Sequence, residues 1–173
     1  FATGIKMAKP ELNVIVITGD GDATAIGGNH FIHAARRNID LTTIIFDNNI
    51  YGMTGGQSSP LTPQNWRSTT APFGHIERSF DIAKLSVAAG ATYVARGTSF
   101  HAKMLTDLIA KGIANKGFSV IDAISGCPTS FGRKNKMSQP AKMLEWQRDH
   151  AVTVQAAAKL SAEQLADKFL IGE

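Results

Sequence analysis

The sequence has a single cysteine, so no disulfide can form within the chain, and we expect a reducing, cytoplasmic environment. It has no long hydrophobic run: the longest, at residues 14–17, is far too short to cross a membrane, and no membrane association is expected.

Charged residues make up only 18% of the chain, which a large buried interface with partner subunits would explain. Basic side chains cluster only at residues 133–136, which disfavours nucleic-acid binding. The sequence begins without Met, and we expect it to lie in the middle or at the end of a longer polypeptide.

Strand and helix patterns alternate along the chain and predict an α/β fold, doubly wound around a mostly parallel sheet, in a single domain over residues 1–173. Strands are predicted at residues 12–18, 42–46, 92–95 and 118–123. Helices are predicted at residues 1–9, 22–38, 82–90, 102–116 and 140–160, with a tight turn at residues 19–21. The first strand is almost continuously apolar, so we expect it to be buried on both faces. Long ligand loops are predicted at residues 49–79 and 125–139, and a C-terminal helical segment at 140–173, where Ser161 and Gln164 form a capping box.

Acidic and amide side chains follow the first two predicted strands. Gly19-Asp20-Gly21-Asp22 ends the first strand, and Asn48 follows the second, 28 positions after Asp20 (48 − 20 = 28). In parallel sheets such strand ends share the edge where ligands bind, and glycines let the backbone approach a phosphate closely. The N-terminus of the following helix would point at the same place. The sequence therefore predicts a site where a carboxylate and an amide hold one hard cation and, through it, a diphosphate.

Other interpretations of this turn are weaker or remain open. A P-loop is excluded because no Gly-Lys-Ser/Thr follows, and the dinucleotide fingerprint fails because Thr24 stands where its third glycine belongs. A generic nucleotide-binding module is therefore disfavoured. Gly-Asp-Gly can also be an ordinary strand-to-helix turn with Asp20 as the N-cap. Asp22 is expected either to cap the helix or to hold a metal-bound water.

The segments at residues 19–30 and 51–57, together with the region around Cys127, are similar to the β subunit of the 2-oxoacid:ferredoxin oxidoreductases, most of all to the 2-oxoglutarate branch. The resemblance extends over nearly the whole chain and implies the thiamine diphosphate-binding fold. It implies that Asp20, Asn48 and the Ile50 carbonyl ligate Mg²⁺. The wider set of residues that it implies around the cofactor comprises Gly19, Asp20, Gly21, Asp22, Asn48, Ile50, Tyr51, Gly52, Thr54, Gly55, Gly56 and Gln57. The alternative for Thr54 to Gln57 is a flexible hairpin tip.

The same resemblance implies that Cys127 supplies one ligand of a 4Fe-4S cluster in the intact protein. A cubane cluster needs four ligands, so this sequence alone cannot hold one. The alternative is a buried, inert thiol.

The implied activity is oxidative decarboxylation of a 2-oxoacid to an acyl-coenzyme A, with electrons passing through the cluster to ferredoxin. The implied partners are ferredoxin and an α subunit, which supplies the glutamate that activates the cofactor. No acid of this chain is assigned to that activation, and the catalytic residues of the chain are unknown. Two alternatives to this function remain open. One is another thiamine diphosphate enzyme of the acetolactate synthase or decarboxylase type, and the other is a non-catalytic assembly or electron-transfer subunit.

Overall fold

A computed structural model describes all residues from 1 to 173. The strands, numbered along the chain, are β1 (Ile15–Gly19), β2 (Thr42–Asp47), β3 (Ile50–Tyr51), β4 (Gln57–Ser58), β5 (Tyr93–Thr98), β6 (Ser119–Ile124), β7 (Ala151–Thr153) and β8 (Phe169–Ile171). The helices are α1 (Ala2–Ala8), α2 (Asp20–Thr24), α3 (Gly28–Arg36), α4 (Ile82–Ala88), α5 (Ala102–Ala114), α6 (Pro140–His150), α7 (Val154–Ala157) and α8 (Ala162–Leu165). None of them combines the length and hydropathy of a membrane-spanning helix.

The central sheet has four strands in the order β1-β2-β6-β5, and every pairing in it is parallel. Parallel strands need crossover connections, and these place helices on both faces. On one face, Phe31 of α3 and Ile82 of α4 belong to the main core with Ile45 of β2. On the other face, α5 covers a smaller cluster centred on Ile121 of β6. The predicted doubly wound α/β class is confirmed.

Strand register brings the ends of β1, β2 and β6 to one edge of the sheet. Gly19 aligns with Phe46, and Asp47 aligns with Ile124. Because the strands are parallel, the residues that follow each of them emerge side by side at this carboxyl edge. The segments that begin at residues 20, 48 and 125 therefore meet there.

The prediction of one continuous helix over residues 22–38 is wrong, because two helices, α2 and α3, occupy this region. Ala25 leaves the helical region with φ −93° and ψ −95°. Gly27 then turns back and donates its N–H to the Asp22 carbonyl at 2.8 Å. A Cβ atom at position 27 would lie 2.3 Å from that carbonyl oxygen, so only glycine fits the turn.

The expectation that the first strand is buried on both faces is also wrong. β1 forms an edge of the sheet, where Ile15 and Ile17 are 42% and 68% exposed. The reason is that α5 packs over β5, β6 and β2 and leaves this side of β1 uncovered.

The predicted C-terminal helical segment contains two strands. α6 ends at His150, and β7 pairs in parallel with β8. Trp146 stacks on Phe169 with ring centroids 5.6 Å apart, which holds β8 against the end of α6. The capping box of Ser161 and Gln164 is confirmed at the start of α8.

Candidate functional site

The Asp20 side chain lies at the carboxyl edge of the sheet and is only 1% exposed. One of its oxygens, Oδ1, lies 3.5 Å from the backbone nitrogen of Asn48. The other, Oδ2, accepts a hydrogen bond from the Ser59 hydroxyl. The two halves of the motif predicted from the sequence are therefore in contact, on the same edge of the sheet.

Burial raises the pKa of Asp20 to about 6, although hydrogen bonds from Ser59 and Asn48 favour its ionised form. Two further buried carboxyl groups lie nearby, on β2 and β6. Burial raises the pKa of Asp47, and the charges of Asp122 and Asp20 raise it further. This edge of the sheet therefore concentrates carboxyl groups in a place with little water, where a bound cation would stabilise their ionised form.

Arg96 is the cation that the chain itself supplies to this region. Its Nε donates to Asp122 Oδ2 at 2.6 Å, and its Nη2 donates to Asp81 at 2.7 Å. Burial raises the pKa of Asp122, and the Arg96 charge acts against that rise. The remaining oxygen, Asp122 Oδ1, is buried and has no hydrogen-bond partner. One guanidinium therefore compensates only part of the buried acidity.

The second half of the motif is a tight turn between β2 and β3. Asn49 has a left-handed backbone with φ 62°, which asparagine adopts more readily than most residues. Asn48 Oδ1 accepts from the Ile50 N–H at 3.2 Å, and Asp47 Oδ1 accepts from the Asn49 N–H at 3.1 Å. These bonds fix the amide side chain of Asn48 beside the Ile50 backbone.

Gly21 lies directly beneath the ring of Tyr51. A Cβ atom at position 21 would lie 2.4 Å from Tyr51 Cζ, so a side chain there would displace the ring. This is a specific reason for the second glycine of the motif. Gly19 differs, because a Cβ atom there would meet only the Asp22 carboxylate, at 3.6 Å.

Neither predicted helix cap is present. α2 begins at Asp20 with Gly19 as its N-cap, and no side chain caps it, so the N-cap interpretations of Asp20 and Asp22 are both wrong. α2 has only five residues. A helix this short contributes a weaker dipole at its N-terminus than the long helix predicted from the sequence.

Residues 52–56 form the loop of the β3–β4 hairpin. Gly55 and Gly56 have φ values of 120° and 87°, which glycine adopts without strain. Thr54 and Gln57 bond to each other, with Thr54 Oγ1 and Gln57 Oε1 2.7 Å apart. Thr69 Oγ1 donates to the Gly55 carbonyl at 2.6 Å. These hydrogen bonds do not reach Asp20 or Asn48, and a cofactor role for the loop stays a prediction.

Cys127 lies against this hairpin. A Cβ atom at Gly52 would be 3.2 Å from Cys127 Sγ. The sulfur accepts from the Ser130 N–H at 3.4 Å, at the start of a π-helical turn over Pro128–Gly132. Ser130 Oγ also donates to the Gly52 carbonyl at 3.2 Å. The only thiol of the chain thus lies next to the loop that begins at the candidate diphosphate site, with its side chain partly exposed.

Several residues of this site were not predicted from the sequence. Ser59 lies 39 positions from Asp20, in a long loop without periodicity. Asp122 is fully buried on the central strand β6, and its partner Arg96 is partly buried on the edge strand β5. A signal was available for Asp122, which lies inside the strand predicted at residues 118–123, because charged residues in core strands are rarely buried without a partner.

The ligand types at this edge fit Mg²⁺ and do not complete an iron-sulfur cluster. Asp20, Asn48 and the Ile50 carbonyl are hard oxygen donors of the kind that Mg²⁺ prefers. The structure has no group of three or more His, Cys, Asp or Glu side chains arranged to hold a metal ion. Cys127 is one thiol where a cubane cluster needs four ligands, so the chain alone does not fit that group.

Fold and site together define an α/β cofactor-binding domain with an acidic, oxygen-rich ligand site at the carboxyl edge of its sheet. A family model, described as the C-terminal TPP-binding domain of thiamine pyrophosphate enzymes, matches residues 1–123. This chain belongs to that family.

Known proteins are similar over all or most of the chain. The 2-oxoglutarate synthase subunit KorB of Methanothermobacter marburgensis is 54% identical over 173 residues, which are 100% of this chain and 61% of the relative. The 2-oxoacid:ferredoxin oxidoreductase subunit beta of Saccharolobus solfataricus is 43% identical over 129 residues, 75% of this chain and 42% of the relative.

A solved structure is also similar. It is the 2-oxoglutarate:ferredoxin oxidoreductase from Magnetococcus marinus with 2-oxoglutarate, coenzyme A and succinyl-CoA bound. It superposes with a TM-score of 0.84 and 32% identity, over 99% of this chain and 59% of that chain. The chain therefore spans less than two thirds of the length of these proteins.

Proposed function

We propose that this chain is the diphosphate-binding part of the β subunit of a 2-oxoacid:ferredoxin oxidoreductase, and that its substrate is 2-oxoglutarate. The observation that carries the proposal is the buried Asp20 carboxylate in contact with Asn48 at the carboxyl edge of a parallel sheet. The names and high identity of the relatives support the choice of 2-oxoglutarate. Residues 1–173 would form a single domain in this protein.

In this proposal Asp20, Asn48 and the Ile50 carbonyl hold Mg²⁺, which binds the diphosphate of thiamine diphosphate. Its proposed surroundings are Gly19, Gly21, Asp22, Tyr51, Gly52, Thr54, Gly55, Gly56 and Gln57. When bound, thiamine diphosphate supplies the carbon nucleophile and electron sink for decarboxylation of the 2-oxoacid. The chain positions that cofactor.

The geometry of the chain suits this positioning role. The cation site is formed by backbone turns with fixed side chains, and the protein itself shields Asp20 from water. A buried carboxylate with few compensating charges binds a divalent ion strongly, because the ion replaces lost hydration. Gly21 leaves room for Tyr51 to lie over the motif.

Cys127 has a separate role in the proposal. It supplies one thiolate to a 4Fe-4S cluster in the intact protein, with the other three ligands outside this chain. Its position against Gly52 supports this role, because it places the sulfur beside the candidate cofactor loop. Coenzyme A accepts the acyl group, ferredoxin accepts the electrons, and an α subunit supplies the glutamate that activates the cofactor.

The test is an assay of the intact protein with thiamine diphosphate, Mg²⁺, coenzyme A and ferredoxin, with and without its α subunit. We expect ferredoxin reduction with 2-oxoglutarate and much slower reduction with pyruvate or branched-chain 2-oxoacids. Turnover should require the α subunit. Turnover without coenzyme A or ferredoxin would instead indicate a decarboxylase or acetolactate synthase type, and absence of cofactor binding would indicate a non-catalytic subunit.

A further inference from the structure

A four-residue turn, Ser59–Thr62, lies between the two halves of the candidate metal site. Its own hydrogen bonds lock it. The Ser59 N–H donates to Thr62 Oγ1 at 2.9 Å, and the Thr62 N–H donates to the Ser59 carbonyl at 3.0 Å. The Leu61 N–H donates to Ser59 Oγ at 3.2 Å. The 59–62 turn thus has a single well-defined conformation.

Both hydroxyl groups of the turn reach out to the metal-site motif. Ser59 Oγ donates to Asp20 Oδ2, and Thr62 Oγ1 donates to the Asn49 carbonyl at 2.6 Å. Each hydroxyl oxygen accepts a backbone N–H of the turn, so its own proton is directed towards the motif. Ser59 is 2% exposed and Thr62 is 0% exposed, so water does not compete for these bonds.

The turn is itself fixed to the body of the domain. Leu61 is 4% exposed and belongs to the main core, together with Ala23 of α2 and Ile45 of β2. The Phe80 N–H also donates to the Pro60 carbonyl at 2.9 Å. A rigid support of this kind can hold a ligand in place because its own position is set by packing.

We propose that the 59–62 turn is the positioning element of the metal site, with Ser59 orienting the Asp20 carboxylate and Thr62 holding the backbone between Asn48 and Ile50. This inference rests on the proposed function, because it needs a cation at that site. Thr62 acts on Asn49, the left-handed residue that separates the other two ligands. One turn therefore sets the positions of all three proposed ligands.

The orientation of the ligands affects Mg²⁺ binding in particular. It demands a nearly ideal octahedron of oxygens, whereas Ca²⁺ accepts variable numbers and angles of ligands. Hydrogen bonds that orient metal ligands typically contribute about 10- to 100-fold in affinity. Loss of either hydroxyl should therefore weaken Mg²⁺ more than Ca²⁺. A defect in folding alone would not change the preference between the two ions.

The experiment uses the intact oxidoreductase with saturating thiamine diphosphate and titrates Mg²⁺ and Ca²⁺ separately by calorimetry. The test variants are Ser59→Ala and Thr62→Val, and Ser59→Thr keeps the hydroxyl. The matched control is Ser86→Ala, which removes another fully buried serine hydroxyl, bonded to the Ile82 carbonyl in α4. Thermal unfolding of each metal-free protein is recorded in parallel.

We expect Ser59→Ala and Thr62→Val to lower the Mg²⁺ affinity about tenfold or more, and to lower the Ca²⁺ affinity less. Ser59→Thr should keep the Mg²⁺ affinity of the unchanged protein. Ser86→Ala should lower the unfolding temperature without changing either affinity. Unchanged Mg²⁺ affinity in Ser59→Ala and Thr62→Val would overturn the inference, as would an equal loss for both ions. If Ser59→Ala does not fold, Thr62→Val decides alone. Absence of Mg²⁺-dependent cofactor binding in the unchanged protein would instead refute the proposed function.

Discussion

The buried carboxylate of Asp20 should lower the free energy of unfolding of the metal-free protein. Replacing Asp20 with asparagine should remove this loss of stability. Burial raises the pKa of Asp20 from its ordinary value of 3.8 to about 6. The difference between these two pKa values corresponds to about 3 kcal/mol in the free energy of unfolding. The side chain is only 1% exposed, so solvent screening reduces this cost little.

The pH at which the cost arises follows from the direction of the shift. Below pH 3.8 the carboxyl group is protonated in both the folded and the unfolded chain, and it costs nothing. Between pH 3.8 and about 6 the unfolded chain releases its proton while folded Asp20 keeps it, so stability falls as pH rises. Above pH 6 the whole cost is present.

The assay is urea unfolding of the metal-free protein, with a chelator, from pH 4 to pH 8. Near pH 4 the free energy of unfolding of Asp20→Asn should equal that of the unchanged protein. At pH 7.5 it should be about 3 kcal/mol higher. Asp107→Asn, at a solvent-exposed aspartate in α5, is the control and should show no such pH dependence. The reasoning would be refuted if Asp20→Asn and the unchanged protein had the same stability at pH 7.5, or if the difference between them were the same at every pH.

Three further variants test other parts of the site. Arg96→Met leaves the buried Asp122 carboxylate without its cation and should lower the free energy of unfolding by about 3–5 kcal/mol, measured by urea titration. Gly21→Ala displaces the Tyr51 ring and should weaken thiamine diphosphate binding, while the free energy of unfolding changes by less than about 1 kcal/mol. A loss of stability without a loss of affinity would contradict this account of Gly21. Cys127→Ser should lower the iron and sulfide content of the intact protein, and an unchanged content would exclude the cysteine as a ligand.

The sequence predicted those parts of the site that depend on local pattern. Gly19 to Asp22 and Asn48 each follow an apolar strand, and parallel strands necessarily end at the same edge. The contact between Asp20 and Asn48 could therefore be predicted without coordinates. The same reasoning placed Cys127 at that edge, because it follows β6.

Contacts made by long loops could not be predicted in the same way. Ser59 reaches Asp20 only because the β3–β4 hairpin folds back over the motif, and no periodic pattern marks that path. The break between α2 and α3 depends on the close approach of Gly27 to a carbonyl, which a helical pattern does not reveal. β7 has only three residues and is stabilised by pairing with β8, which local propensity does not encode.

The central claim is that one divalent ion, held by Asp20 and Asn48, binds the diphosphate of the cofactor. The most direct measurement is calorimetry of thiamine diphosphate binding to the intact protein, with Mg²⁺ and then with a chelator. We predict tight binding only with Mg²⁺, and its loss in both Asp20→Asn and Asn48→Ala. Binding that persists with the chelator or in the Asp20→Asn variant would contradict the account.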